Sequence, residues 1–180
     1  MLQNWFEDGL RFHKFLLLLP VLVLFCIGTA SGGRELVELM APSTELSGRT
    51  ISYKVVLQSK GILEMAPRSF MWMPLKEEAL YRFVPFVGLW WGWALVFASK
   101  PPISATVLLV AVTSAYFGYI HGGVGNIFIQ GTIGVFLALT YLKMSSYGSA
   151  PLKGIAAAVL LHGMYNFTVA LRVQYYLANA

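Results

Sequence analysis

The chain has 180 residues, 57% of them hydrophobic and only 12% charged, with a mean hydropathy of +0.66. A soluble domain carries about 25% charged residues, so this composition excludes an ordinary soluble domain and marks a membrane protein. The net charge of +5 is scattered between apolar runs without a basic stripe, which excludes nucleic acid as a partner.

The first apolar run is Phe15 to Ser31, preceded by Arg11, His13 and Lys14. A cleaved signal peptide is the rival reading. A retained membrane helix is expected, because Leu-Phe before Cys26 is wrong for a lipoprotein cleavage site, which wants a small residue there. Cys26 is the single cysteine; it can form no internal disulfide, matches no metal-ligand spacing and reads as packing. Residues Gly32 to Met73 are mixed in character, with breaks at Pro42 and Gly48. Within them "SYKVVLQSKGILEM" suits an amphipathic helix lying at the interface.

Four further segments follow: Ala79 to Ser99, Ile103 to His121, Val124 to Met144, and Leu152 to about Leu177. Each is near the roughly 20 residues needed to cross a bilayer. Turns are expected at Lys100-Pro101-Pro102, Gly122-Gly123 and Ser145 to Gly148. Gly88-x-x-x-Gly92 and Gly118-x-x-x-Gly122 would let helices approach closely. The expected fold is all-α, a polytopic bundle of about five spanning helices. Residues 1–73 would hold the N-terminal helix and interfacial segment, and residues 74–180 a four-helix core. With the N-terminus inside, Arg11, Lys14, Lys100, Lys143 and Lys153 fall on the inner face, as the weight on short loops favours.

Ionisable groups inside membrane helices cost roughly 2.5–3.5 kcal/mol each, so they tend to mark function. Here they are Glu77, Glu78 and Arg82 at the start of the second spanning segment, His121 ending the third, and His162 with Asn166 in the fifth. Residues four apart share a helix face, which pairs Glu78 with Arg82, Phe117 with His121, and His162 with Asn166. Up-and-down threading brings Glu77, His121, His162 and Asn166 toward one half of the membrane. Bland roles exist for each: a helix N-terminus stabilised by carboxylates after Pro74, an interfacial cap at His121, and interhelical hydrogen bonding by His162 and Asn166. That all three hold at once is the weaker reading, because the three spacings recur together as a known set.

Glu77-Glu78-x-x-x-Arg82, Phe117-x-x-x-His121 and His162-x-x-x-Asn166 resemble the three signature motifs of the CPBP family. That family holds the CAAX prenyl endopeptidases of the Ras-converting type and the bacteriocin-processing or self-immunity membrane proteins, also called the ABI family. The resemblance spans Pro74 to about Leu171. It implies an intramembrane glutamic endopeptidase: Glu77 as general base, His121 orienting the water, and His162 and Asn166 stabilising the oxyanion. Glu78, Arg82 and Phe117 would support the site. The implied partners are a membrane-associated protein or peptide substrate and the lipid bilayer, in a prokaryotic plasma membrane. Candidate substrates carry C-terminal sorting helices or lipid anchors.

No cofactor is expected. Two histidines and a glutamate are allowed zinc ligands, but the HExxH spacing of helical zinc proteases is absent, so zinc is disfavoured. A non-catalytic immunity or peptide-binding protein of the same family is the alternative, although a pure binder has no need of Glu77. A small transporter is the third class, weakened by the lack of an inverted repeat.

Overall fold

The computed structural model describes residues 2–40 and 62–179. The expected interfacial helix over residues 52–65 falls largely outside them. Among the described residues all regular structure is helical, and five helices are long and apolar enough to cross a membrane. Inside a bilayer every backbone polar group must be satisfied within its own segment, and an open chain does this only as helix.

α1 (Leu2–Glu7) is a short cap. α2 (Phe12–Met40) outruns its apolar core, continuing nine residues past Ser31. Two contacts carry it on. Arg34 pairs with Glu38 one turn away at 3.0 Å. Gly33 lies against α5 (Val124–Met144), so close that a Cβ there would sit 2.5 Å from the Phe128 carbonyl oxygen.

α3 (residues 62–97) differs most from expectation. Its helix does not begin near Pro74; among the described residues it is already helical at Ile62 and runs unbroken to Phe97. Glu77, Glu78 and Arg82 therefore lie in the body of the spanning helix, with Glu77 roughly 13 Å from its Arg68 end. Pro67, Pro74 and Pro85 each remove a backbone donor from this helix. Two π turns, Arg68–Trp72 and Ala79–Phe83, lie one ahead of Pro74 and one ahead of Pro85. Such wide turns are frequent at functional sites. Here they bracket the α-helical turn Met73–Glu78 that carries both glutamates.

α4 (Ile103–Ile120), α5 and α6 (Pro151–Ala178) complete the bundle. α5 is its axis and is touched by α1, α2, α4 and α6. One core cluster joins Phe15, Leu19, Val23 and Cys26 of α2 to Ile133 and Leu137 of α5 and Leu161 and Tyr165 of α6. The other seats Phe6 of α1, Phe86 and Trp90 of α3, and Tyr147 around Tyr141 and Leu142. α2 is thus as much a part of the packed bundle as the four C-terminal helices.

The glycine expectations divide. Gly118 does admit a close approach: a Cβ there would lie 2.5 Å from the Asn126 carbonyl oxygen of α5. Gly88 and Gly92 do not, since each faces open space. Gly122 and Gly123 make the turn between α4 and α5 with φ of 152° and 80°, values that exclude most side chains.

Candidate active site

Three helices bring the intramembrane polar residues together. α3 supplies Glu77, Glu78 and Arg82, α4 ends at His121, and α6 supplies His162. Arg82 and Glu78 have no solvent exposure, and the side chains of Glu77, His121 and His162 retain only 12%, 10% and 4%.

The inner layer is an ion-pair chain. Glu78 Oε1 lies 2.8 Å from His162 Nδ1, and Glu78 Oε2 lies 3.5 Å from Arg82 Nε. Arg82 Nη2 donates to the Gly134 carbonyl on α5 at 3.0 Å. Its guanidinium also stands over the Phe117 ring, 4.6 Å from the centroid. Phe117 is the apolar wall of the site, packed on the His121 ring at 4.3 Å and edge-on to the His162 and Tyr81 rings.

The outer layer is Glu77 with two imidazoles. Its Oε2 lies 3.7 Å from His121 Nε2 and 3.5 Å from His162 Nε2. The orientation of both rings follows from their other nitrogen. A carboxylate and a carbonyl can only accept. His162 Nδ1 therefore donates to Glu78, and His121 Nδ1 donates to the Phe117 carbonyl at 2.6 Å. Both Nε2 atoms are left facing Glu77. Among the described residues Glu77 Oε2 has no hydrogen-bond partner, although it is buried.

A family model described as Type II CAAX prenyl endopeptidase Rce1-like matches residues 60–168. The chain belongs to this family. It is an integral membrane protein of the CAAX prenyl endopeptidase class, and the matched residues contain the whole cluster while α1 and α2 lie outside them. No curated protein and no solved structure matches the chain.

Within this Rce1-like frame, Glu77, Glu78, Arg82, Phe117, His121 and His162 form one contiguous network. Asn166 lies one turn beyond His162 on α6, partly exposed and outside that network. Among the described residues no group of three or more His, Cys, Asp or Glu side chains is placed to hold a metal ion.

Sequence reasoning missed two glycines that build the site. At Gly134 a Cβ would lie 3.0 Å from Arg82 Nη2 and 3.1 Å from Ser114 Cα. At Gly163 a Cβ would fall on the Phe70 carbonyl. That carbonyl is four residues before Pro74, the position whose helical donor the proline removes. The bare α6 backbone at Gly163 fits against it, and this contact sets His162, the preceding residue, against the two glutamates. A small residue one position from a motif histidine was the available signal.

Proposed function

We propose that this chain is an intramembrane endopeptidase in which Glu77 activates water for attack on a peptide carbonyl. One observation carries the reading. A buried carboxylate oxygen without a hydrogen-bond partner among the described residues is faced by two imidazole nitrogens whose opposite nitrogens are both engaged. Separations of 3.5–3.7 Å are too long for good hydrogen bonds and short enough for a bridging water. Membership of the prenyl endopeptidase family supports the same reaction class.

The chemistry runs as follows. Water binds between Glu77 and His121. Glu77 takes one proton as the water oxygen bonds to the carbonyl carbon, and the C=O electron pair moves onto oxygen. His162 Nε2, in the imidazolium form, donates to that oxyanion, with Asn166 as a second donor from the same helix face. Glu78 stabilises the imidazolium from behind, as the carboxylate of a hydrolase triad does. Charge balance favours this arrangement: Glu77 and Glu78 carry two negative charges against the single positive charge of Arg82, so one imidazolium neutralises the buried cluster. Collapse of the intermediate expels the amine, which takes the proton held by Glu77.

The substrate is a membrane-associated protein or peptide, cut beside a lipid-anchored or C-terminal sorting segment. The test compares processed protein termini in membranes of cells carrying wild type or Glu77→Gln. Specific proteins left uncut in the mutant are expected, and they name the substrates. Matching profiles, in cells where deletion still has a phenotype, would replace cleavage by peptide binding. Purified enzyme should keep its activity in a strong chelator; loss restored by zinc would overturn the glutamate mechanism.

A further inference from the structure

A cavity lies away from the glutamates, between α2 and α5. Its volume is about 440 Å³, within the range of small-ligand pockets. Cys26, Phe136 and Leu161 line its deep end, Leu22 its wall, and Trp5 and Lys143 its other end. Along α2 the lining runs from Phe15 to Cys26, about 16 Å at 1.5 Å per residue. That is half of a roughly 30 Å hydrocarbon core, the depth of one leaflet. Leu18 and Phe25 on its rim are exposed, so the slot is continuous with the surrounding lipid.

The polar end has a definite chemistry. Lys143 is the penultimate residue of its span, at the membrane boundary. Its ammonium stands 4.1 Å from the Trp5 ring centroid and donates to the Trp5 carbonyl. Neither partner cancels its charge, among the described residues no carboxylate pairs with it, and the nearby acid Glu7 is already held by Lys100 at 2.9 Å. Arg11 and Lys14 flank the lining residues Leu10 and Phe15 and add positive charge at the same end.

We infer that this slot binds one acyl chain of an anionic phospholipid, with Lys143 holding the phosphate. An apolar channel one leaflet deep, open to the bilayer and headed by a cation that no carboxylate pairs with among the described residues, suits an amphiphile with a negative headgroup. The slot is separate from the candidate active site. Leu161 faces it, whereas the next residue of α6, His162, faces Glu77 and Glu78.

The test uses delipidated full-length protein titrated with phosphatidylglycerol or phosphatidylcholine of identical chains, read by native mass spectrometry. Wild type should retain phosphatidylglycerol about fivefold more tightly, the effect of one lysine near a membrane surface. Lys143→Gln should abolish that preference while still binding both lipids. Leu139→Trp, which fills the slot, should lose the tightly held lipid. Should Leu139→Trp prove unfolded by circular dichroism, the Lys143→Gln comparison decides alone. Equal retention of both lipids by wild type, or an unchanged preference in Lys143→Gln, would overturn the inference. So would displacement by a phosphate-free lipidated peptide, or a second copy of the chain cross-linked into the slot.

Discussion

Glu78 and His162 lie 84 residues apart in sequence and meet at 2.8 Å in the membrane interior. That contact ties α3 to α6, fixes the ring of His162 and leaves its Nε2 toward Glu77. In the mechanism proposed above, Glu78 would be the positioning residue, one step behind the reacting atoms.

Glu78→Gln should therefore separate geometry from charge. The amide keeps the shape but cannot stabilise an imidazolium, and it leaves Arg82 buried without a carboxylate. Turnover should fall by about 10²-fold or more. Stability should fall by about 3–5 kcal/mol, the cost of leaving one member of a buried pair alone. Cleavage rate and thermal unfolding, measured on the same preparation, check both. A variant as active and as stable as wild type would remove Glu78 from the site.

The glycines offer a graded series. Gly163→Ala must push α6 off the Phe70 carbonyl and should lower both melting temperature and activity, because His162 moves with it. Gly134→Ala crowds Arg82 and should cost about 1–3 kcal/mol. Gly88→Ala meets open space and should be neutral or gain up to about 1 kcal/mol through helix propensity. Thermal unfolding of the three in one detergent tests the order.

Tyr147 closes the end of the bundle opposite Glu77. Its hydroxyl donates to the Pro101 carbonyl at 3.1 Å and lies 2.8 Å from Thr106 Oγ1, with no side-chain exposure to water. Tyr147→Phe leaves those groups buried and short of a partner. A loss of about 1–3 kcal/mol is expected. Cleavage by the folded variant should be unchanged, since the hydroxyl is remote from Glu77.

The Glu7–Lys100 pair should make stability depend on acid. The hydrogen bond from Lys100 holds the Glu7 carboxyl below its ordinary value. A depressed carboxylate contributes stability that is full above its unfolded pKa, about 4.3, and lost as pH falls through its folded value. Wild type should therefore melt above Lys100→Ala at neutral pH, and the two melting curves should converge in acid below about pH 4.3. A constant gap across pH would show that Lys100 acts by packing alone.

Much of this protein was legible in its sequence. Hydropathy alone marked five spans, because lipid leaves the backbone no alternative to helix. Charge in apolar runs marked Glu77, Glu78, Arg82, His121 and His162, because burying such groups is too costly to be incidental. Helix boundaries were less legible. Pro74 read as a helix start, yet the helix runs on through it behind the π turn Arg68–Trp72, and such turns depend on what neighbouring helices supply to the freed backbone groups.

What only the tertiary structure decided was which residues touch across helices. Gly88-x-x-x-Gly92 and Gly118-x-x-x-Gly122 look alike in sequence, but Gly118 meets α5 and the other pair meets nothing among the described residues. Hydropathy and spacing are properties of one helix, whereas a glycine gains its purpose from the backbone opposite. The same holds for Glu78 with His162 and for Gly163 with Phe70. The sequence by itself determined the helices and their unusual charges; packing determined which of those charges face one another, because interhelical contact depends on rotation and register that no single segment encodes.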